Sequence, residues 1–155
     1  MKQFFLDLIH NEVLMSAVFS WMLAQIVKTI IYLRVAKKFV PERLIGSGGM
    51  PSCHSAAVCA MTTALIINEG IGSYYTAIAG LLAIVVMYDA TGVRRETGNQ
   101  AKILNEMMEY FKMKGSNLSY DEKLKEFVGH TPFQVLIGAI IGIIFSLLYC
   151  LVIIK

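Results

Sequence analysis

The sequence predicts an all-α fold: an integral membrane helical bundle of about four membrane-embedded helices, with a helical pair on its cytoplasmic or interfacial side. Three observations predict this class. Of the 155 residues, 56% are hydrophobic and only 16% are charged, which is too apolar for a soluble domain of this size. Four apolar segments have lengths near that of a bilayer-spanning helix. A polar segment between the third and fourth has a helical period of its own. The length suits a single domain over 1–155.

The four apolar segments justify the membrane helices in chain order. They run over about Val13–Leu33, from Pro51 to about Ile67, over about Tyr74–Tyr88, and over Pro132–Ile154. The second is short and rich in alanine, which permits close helix packing. The fourth contains Gly138 and Gly142 in a GxxxG pattern. That pattern is typical of a homodimer contact and equally of packing inside one monomer, and both alternatives stay open.

The polar insertion, over about 94–129, predicts two further helices. In the first, apolar residues recur at helical spacing opposite charged ones: Ile103, Leu104, Met107, Met108 and Phe111 against Lys102, Glu106 and Glu109. Gly115 ends it, and Ser119 with Glu122 forms a capping box for a shorter helix that ends near Gly129. The pair either packs on the bundle or lies at the lipid headgroups, where it guides a lipid substrate.

The distribution of cations predicts which side of the cell membrane each loop faces. In a four-span arrangement, eleven lysines and arginines fall on one side, and only Lys2 and Lys155 on the other. The first side is therefore expected to be cytoplasmic. The eleven are Arg34, Lys37, Lys38, Arg43, Arg94, Arg95, Lys102, Lys112, Lys114, Lys123 and Lys125.

A small polar motif on that side has the features of an anion site. Residues 48–55 read Gly-Gly-Met-Pro-Ser-Cys-His-Ser. Glycines permit tight backbone conformations, and Ser52 is a good helix N-cap. His54 would then lie in the first turn, where free N–H groups and the helix dipole favour an anion and where a histidine can move protons. The alternative is an ordinary turn with an incidental histidine.

Four charged residues lie at the same membrane level. Lys28 is roughly 9 Å below the end of the first span at 1.5 Å per residue, which costs about 2.5 kcal/mol or more unless the lysine is paired or snorkels. A functional role is therefore favoured over snorkelling. Asp89 ends the third span and is followed by Arg94 and Arg95. Two arginines suit bidentate phosphate recognition; topogenic charge or a salt bridge to Asp89 or Glu96 is the alternative.

A second histidine begins the fourth span. Thr131 at the N-cap, Pro132 at N1 and Gln134 at N3 predict a capping box, which leaves His130 just outside another helix N-terminus. No metal-ligand cluster of His, Cys or carboxylate accompanies these groups. They suit metal-free phosphoryl transfer, in which cations bind the oxygens, one histidine attacks and the other protonates the leaving group.

Three ordered motifs resemble the divergent branch of the type 2 phosphatidic acid phosphatase superfamily, which also contains vanadium haloperoxidases. They are Gly-Gly-Met-Pro-Ser-Cys-His-Ser-Ala, Tyr-Asp-Ala-Thr-Gly-Val-Arg-Arg-Glu-Thr-Gly-Asn-Gln-Ala and Val-Gly-His-Thr-Pro-Phe-Gln-Val. The resemblance implies a helical bundle that hydrolyses phosphate monoesters or diphosphates through a phosphohistidine. By that resemblance Ser52 and the Cys53 amide bind phosphate with Lys28 and an arginine. His54 is the general acid and His130 the nucleophile.

The chain departs from the superfamily pattern at three places, and one of these departures leaves the charge of the histidine without its usual acid. Cys53 replaces the usual glycine, and Arg94 and Arg95 lie about 35 residues before His130 instead of six. Gln134 stands where an acid is usual; a glutamine can orient an imidazole but cannot offset its charge. Asp89 is the candidate for that charge.

The sequence thus predicts a metal-independent phosphatase without a cofactor. Its expected partners are the membrane and a lipid phosphate, such as phosphatidylglycerophosphate, phosphatidate or a prenyl (di)phosphate, and not nucleic acid. The alternative is a catalytically silent membrane protein that binds anionic lipid or scaffolds a partner.

Overall fold

Six α-helices make up the part of the chain that the computed structural model describes, residues 1–37, 48–114, 123–124 and 128–153. They are α1 (Lys2–Ile9), α2 (Glu12–Ala36), α3 (Cys53–Glu69), α4 (Tyr74–Thr91), α5 (Val93–Met113) and α6 (Pro132–Leu148), with α6 continuing into a π-helical turn, Tyr149–Ile153. No strand occurs in these ranges. The all-α prediction is confirmed.

Three helical stretches are long and apolar enough to cross a membrane: Glu12–Ala36, Tyr74–Met113 and Pro132–Val152. They correspond to the first, third and fourth predicted spans. The segment predicted as the second span forms α3, which has 17 residues. That is about 26 Å at 1.5 Å per residue, less than the roughly 30 Å of a bilayer's hydrocarbon core. A count of four membrane-embedded helices therefore stays a prediction.

The short helix α3 is the centre of the bundle, since it packs against α2, α4 and α6. Most of its buried residues are small: Cys53, Ser55, Ala56, Cys59, Ala60 and Ala64. Small side chains let neighbouring backbones approach closely, which is how helices associate in a membrane without a hydrophobic driving force between them.

The closest of these contacts joins α6 to α3. A Cβ atom added at Gly138 would lie 2.3 Å from the carbonyl oxygen of Ser52, and one added at Gly142 would lie 2.2 Å from that of Ala56. Both glycines are buried. Of the two alternatives for the GxxxG pattern, the structure has packing inside the monomer. Neither glycine is left on the outer surface of the monomer, and a homodimer stays a prediction.

Buried hydroxyl groups join α2 to the same pair of helices. The Ser16 hydroxyl donates to Ser146 Oγ on α6 at 3.0 Å. The Ser20 hydroxyl donates to the carbonyl oxygen of Ala56 on α3 at 3.3 Å. These bonds satisfy hydroxyl groups that are completely buried.

Contacts at the two ends of α2 and α3 show that these helices are antiparallel. Asn68 Nδ2 donates to Glu12 Oε2 at 3.1 Å at one end, and Lys28 Nζ donates to Cys53 Sγ at 3.5 Å at the other. The two glycine contacts run in the same order along α3 and α6, so those helices are parallel. The C-terminal half of α2 and the N-termini of α3 and α6 therefore meet at one end of the bundle.

The α5 helix follows α4 after Gly92 alone and packs differently from the prediction. Its buried residues are Gly98, Ala101 and Asn105. The predicted apolar stripe is largely exposed, at Ile103, Leu104, Met107 and Phe111. The stripe is thus not the face that packs on the bundle, and an interfacial position of this face stays a prediction. Gly115 and the predicted second helix over Ser119 and Glu122 lie outside the described residues.

The N-terminal helix α1 was not predicted. None of its residues is buried, and Phe4, Phe5 and Ile9 are among its exposed apolar side chains. It ends at Ile9, two residues before Asn11. The Asn11 side chain accepts from the Leu14 backbone N–H at 3.0 Å and caps α2.

Replacement of Gly142 by alanine is expected to destabilise the bundle, because the added methyl group would overlap the Ala56 carbonyl oxygen. Overpacking of this kind costs about 1–3 kcal/mol. Thermal unfolding of the detergent-solubilised protein, followed by far-ultraviolet circular dichroism, measures the loss. Gly80→Ala on α4 is the matched control, since a Cβ atom there has nothing within 4 Å. Equal unfolding temperatures for the two variants would contradict this account of the α3–α6 contact.

Candidate active site

Lys28 points into the bundle from α2, as the sequence predicts. Lys28 is only 4% exposed, and its Nζ donates to Cys53 Sγ at 3.5 Å. The glycine loop before α3 passes beside it: Gly49 has φ +84°, and a Cβ atom there would lie 3.8 Å from Lys28 Cγ and Cδ. A positive φ favours glycine, so the loop brings bare backbone close to the buried cation.

Ser52 is the N-cap of α3, also as predicted, but its groups are used within the fold. Its hydroxyl oxygen accepts from the Ser55 backbone N–H at 3.3 Å and from the Ser55 hydroxyl at 2.9 Å. Its backbone N–H donates to the Gln134 carbonyl oxygen at 3.1 Å. Ser52 is completely buried, and neither it nor Cys53 lines the two cavities described below. Cys53 is nevertheless next to the site, since its Sγ lies 3.5 Å from Lys28 Nζ and 4.0 Å from His54 Nδ1, and phosphate binding by the Cys53 amide stays a prediction.

His54 follows in the first turn of α3 and lines a small cavity. Its Nδ1 lies 4.0 Å from Cys53 Sγ. The cavity has a volume of about 120 Å³, and Asp89, Arg94 and His130 are among its lining residues. Both histidines, the carboxylate and one arginine are therefore collected from three separate segments of the chain around one space.

The loop that carries His130 is fixed to the junction of α4 and α5. The His130 backbone N–H donates to the Ala90 carbonyl oxygen at 3.0 Å. A Cβ atom on Gly129 would lie 2.3 Å from Arg95 Cα, so only glycine fits at this crossing. This contact closes the gap of about 35 residues that separates the arginines from His130 in the sequence.

The capping box at the start of α6 is confirmed. Thr131 Oγ1 accepts from the Gln134 backbone N–H at 3.4 Å, and Gln134 Oε1 accepts from the Thr131 backbone N–H at 3.1 Å. The predicted role of Gln134 needs correction, because its side-chain oxygen bonds the residue after His130. It orients the loop backbone and not the imidazole.

The buried His130 side chain has no hydrogen-bonding partner in the part of the chain that the structure describes. The residue is 3% exposed, and neither Nδ1 nor Nε2 has a partner among the described residues. Burial, with Lys28, His54 and Arg94 nearby, lowers the pKa of His130 to about 4. The imidazole is therefore neutral near pH 7, with a ring nitrogen lone pair that can attack an electrophile.

The two adjacent arginines face different cavities. Arg94 Nε forms an ion pair with Asp89 Oδ2, which confirms the salt bridge given as an alternative in the sequence. Arg95 lines a second cavity of about 630 Å³. His130 lines both cavities and so lies between them.

Three α5 residues of the larger cavity are not among the site residues predicted from the sequence. They are Gly98, Asn99 and Lys102. With Arg95 they are spaced i, i+3, i+4 and i+7, which is one face of a helix. The same spacing can be read from the sequence. The prediction for α5, however, rested on the apolar stripe, which lies on another face of the helix. Among the described residues, no group of three His, Cys, Asp or Glu side chains is arranged to hold a metal ion.

Comparison with known proteins gives the family. Residues 9–145 match the model of the "Divergent PAP2 family". The chain belongs to the divergent PAP2 family. It is 34% identical over 151 residues to the "Uncharacterized membrane protein YuiD" of Bacillus subtilis (strain 168), over 92% of this chain and 96% of that protein. No solved structure matches the chain. Residues 9–145, which match the family model, include every site residue predicted from the sequence, from Lys28 to Gln134.

Titration of His130 in this divergent PAP2 protein is expected to have a midpoint near pH 4. Because the folded-state pKa lies below the unfolded value of about 6.5, the fold loses stability as the pH falls from about 6.5 towards 4. NMR of labelled histidine in detergent, with His130→Ala to assign the signal, measures the midpoint. Lys28→Met should raise it, because one of the neighbouring cations is removed. A midpoint at or above 6.5 in the wild type would contradict the buried, cation-flanked environment.

Proposed function

We propose that this divergent PAP2 membrane protein hydrolyses a phosphate ester of a membrane lipid through a phosphohistidine at His130. The substrates considered are phosphatidylglycerophosphate, phosphatidate and a prenyl (di)phosphate. One observation carries the proposal: the His130 ring is buried and neutral, lies between two cavities, and has neither nitrogen bonded to another described residue. A buried imidazole without a partner costs stability, which is expected where the partner is a substrate.

In the first step, a ring nitrogen of His130 attacks the phosphorus atom. The bond between phosphorus and the ester oxygen breaks, and the leaving oxygen takes a proton from His54. Lys28 and Arg94 offset the charge on the other phosphate oxygens. Their charges already act on His130, which supports a location within reach of a phosphate bound there.

In the second step, water attacks the phosphohistidine. His54, which gave up its proton in the first step, takes one from the water, and the phosphorus–nitrogen bond breaks. Inorganic phosphate leaves, and His130 returns to its neutral form. Each histidine thus ends in the state in which it began, and no cofactor or metal ion takes part in the cycle.

Asp89 is proposed to position Arg94 and to offset the positive charge that His130 gains. Its carboxylate is bonded to Arg94 and lines the small cavity with both histidines. This assignment supplies the negative charge that Gln134 cannot provide.

A catalytically silent binder of anionic lipid is the second candidate. It is favoured by Ser52, whose hydroxyl is committed to the helix cap, and by Gln134, which stands where the superfamily pattern has an acid. In that case the cations and histidines would hold a lipid headgroup without cleaving it.

We further propose that the site faces the cytoplasm of the cell membrane. Arg94, Arg95 and Lys102 lie beside the cavities at one end of the bundle, and the sequence gathers its loop cations on that side. Lipid phosphates made on the cytoplasmic leaflet would then reach the site directly.

His130→Ala is expected to abolish phosphate release from every lipid phosphate that the wild type hydrolyses, a loss of about 10³-fold or more. His54→Asn should slow alkyl phosphate esters by about 10²–10⁴-fold. It should slow p-nitrophenyl phosphate far less, because that leaving group needs no proton. Phosphate release in detergent with EDTA, against a panel of lipid phosphates, measures both effects.

The matched control for these variants is His10→Ala, since His10 lies after α1 at the opposite end of the bundle. It should hydrolyse the panel at the wild-type rate. Phosphate release that His130→Ala leaves unchanged would refute the phosphohistidine. No release by the wild type from any substrate, together with retained binding of anionic lipid, would favour the silent binder.

Asp89→Asn tests the proposed carboxylate. Loss of its charge frees Arg94 and removes the stabilisation of the His130 cation, so kcat should fall by about tenfold or more. Asp7→Asn on α1 changes the net charge equally, away from the site, and should have no effect. Full activity in Asp89→Asn would remove Asp89 from the mechanism and leave the roles of the histidines untouched.

A further inference from the structure

The larger cavity has more space and more positive charge than one phosphate group requires. Its volume is about 630 Å³, within the range of pockets that hold a whole small molecule. The smaller cavity, with His54 and Arg94, has about 120 Å³. His130 lines both, so a phosphate attacked by His130 would extend the rest of its headgroup into the larger one.

One face of α5 supplies the charge of the larger cavity. Arg95, Asn99 and Lys102 line it and lie at i, i+4 and i+7, so their side chains lie on the same side of the helix. From Arg95 to Lys102 the helix rises about 10.5 Å at 1.5 Å per residue. The cations therefore extend away from the junction where Gly129 crosses Arg95.

Within the described ranges, acidic side chains do little to neutralise these two cations. Arg95 has no ion pair among the described residues, and Lys102 contacts Glu106 only at 3.9 Å, with both side chains about two-thirds exposed. Such surface pairs contribute little. No carboxylate is among the described residues that line this cavity. By contrast, Arg94 is already paired with Asp89 in the smaller one.

We infer that the larger cavity is a second phosphate subsite, in which Arg95 and Lys102 bind a phosphate of the substrate other than the one His130 attacks. The inference rests on the proposed function and narrows it to lipids that carry two phosphates. The second can be a phosphodiester within the headgroup or the other phosphoryl group of a diphosphate. Asn99 lines the same cavity; its Nδ2 donates one hydrogen bond to Glu96 Oε1 at 3.4 Å, and its second amide hydrogen would donate to the same phosphate.

Matched substrates test the subsite. Phosphatidylglycerophosphate and a prenyl diphosphate carry two phosphates, and phosphatidate carries one. Lys102→Gln is expected to lower kcat/KM for the two-phosphate lipids by about tenfold or more, mainly through KM, because one charge-assisted contact is lost. Its activity on phosphatidate should stay near that of the wild type. Loss on only one of the two-phosphate lipids would identify which of them the subsite holds.

Two further variants keep the test independent of folding and of net charge. Arg95→Gln should show the same selectivity as Lys102→Gln. Lys114→Gln, at the end of α5 and outside the cavity, removes an equal charge and should change neither class of substrate. Equal losses on one-phosphate and two-phosphate lipids, or no loss on either, would overturn the subsite while the phosphatase proposal stands.

A binding measurement separates failure of the subsite from failure of the phosphatase proposal. Isothermal titration of the His130→Ala protein in detergent with inorganic pyrophosphate and with inorganic phosphate needs no turnover. Pyrophosphate should bind about tenfold more tightly than phosphate, and Lys102→Gln in that background should remove the difference. If no lipid is hydrolysed, this result still supports the subsite. Equal affinities in both backgrounds would overturn it.

Discussion

The close contact between α3 and α6 is the constraint on which the rest of the structure depends. Gly138 and Gly142 on α6 have no side chains, so backbone carbonyl oxygens at the start of α3 occupy the space that a Cβ atom on either residue would need. The Ser52 backbone N–H then bonds the Gln134 carbonyl oxygen, which fixes the register of the two N-termini. Since His54 belongs to one N-terminus and His130 precedes the other, this register sets the relation between the two histidines. The GxxxG pattern, which in other membrane proteins can join two chains, here holds two helices of one chain together and so positions the two histidines.

Buried polar groups at this end of the bundle are of two kinds: some are hydrogen-bonded within helix caps, and others lack a strong hydrogen bond among the described residues. The Ser52 hydroxyl and the Gln134 side-chain oxygen are bonded within helix caps, so they stabilise the scaffold. Lys28 Nζ donates to a thiol, a weak acceptor, and the His130 nitrogens have no partner among the described residues. Burying such groups without strong hydrogen bonds costs free energy, and an anion bound beside Lys28 and His130 would offset that cost in the way the proposed function requires.

Local chemistry explains what could be predicted from the sequence. Both caps, the burial of Lys28 and three of the membrane helices follow from residue type and spacing, which depend on the nearest turns of the chain. The Arg94–Asp89 pair is local, five residues apart in the sequence, and spacing alone left it as one of several alternatives. The burial of Ser52 could not be predicted, because it depends on where the loop before α3 meets α6. For α5, periodicity identified an apolar and a polar face but not which of them packs. The buried residues of α5 are instead Gly98, Ala101 and Asn105, small or polar residues that hydrophobicity alone does not mark.

The position of the arginines follows from the same kind of tertiary contact. In the superfamily pattern the arginine lies six residues before the nucleophilic histidine, so the chain itself keeps the two close. Here Arg94 and Arg95 begin α5, and they reach His130 only because Gly129 crosses the Arg95 backbone and His130 bonds the Ala90 carbonyl oxygen. The arginines are therefore brought to the histidine only when the loop before α6 is docked on the α4–α5 junction. Because α5 continues beyond that junction, docking of the loop also places Asn99 and Lys102 in the lining of the cavity next to His130. A motif with the arginine six residues before the histidine could not add these two residues.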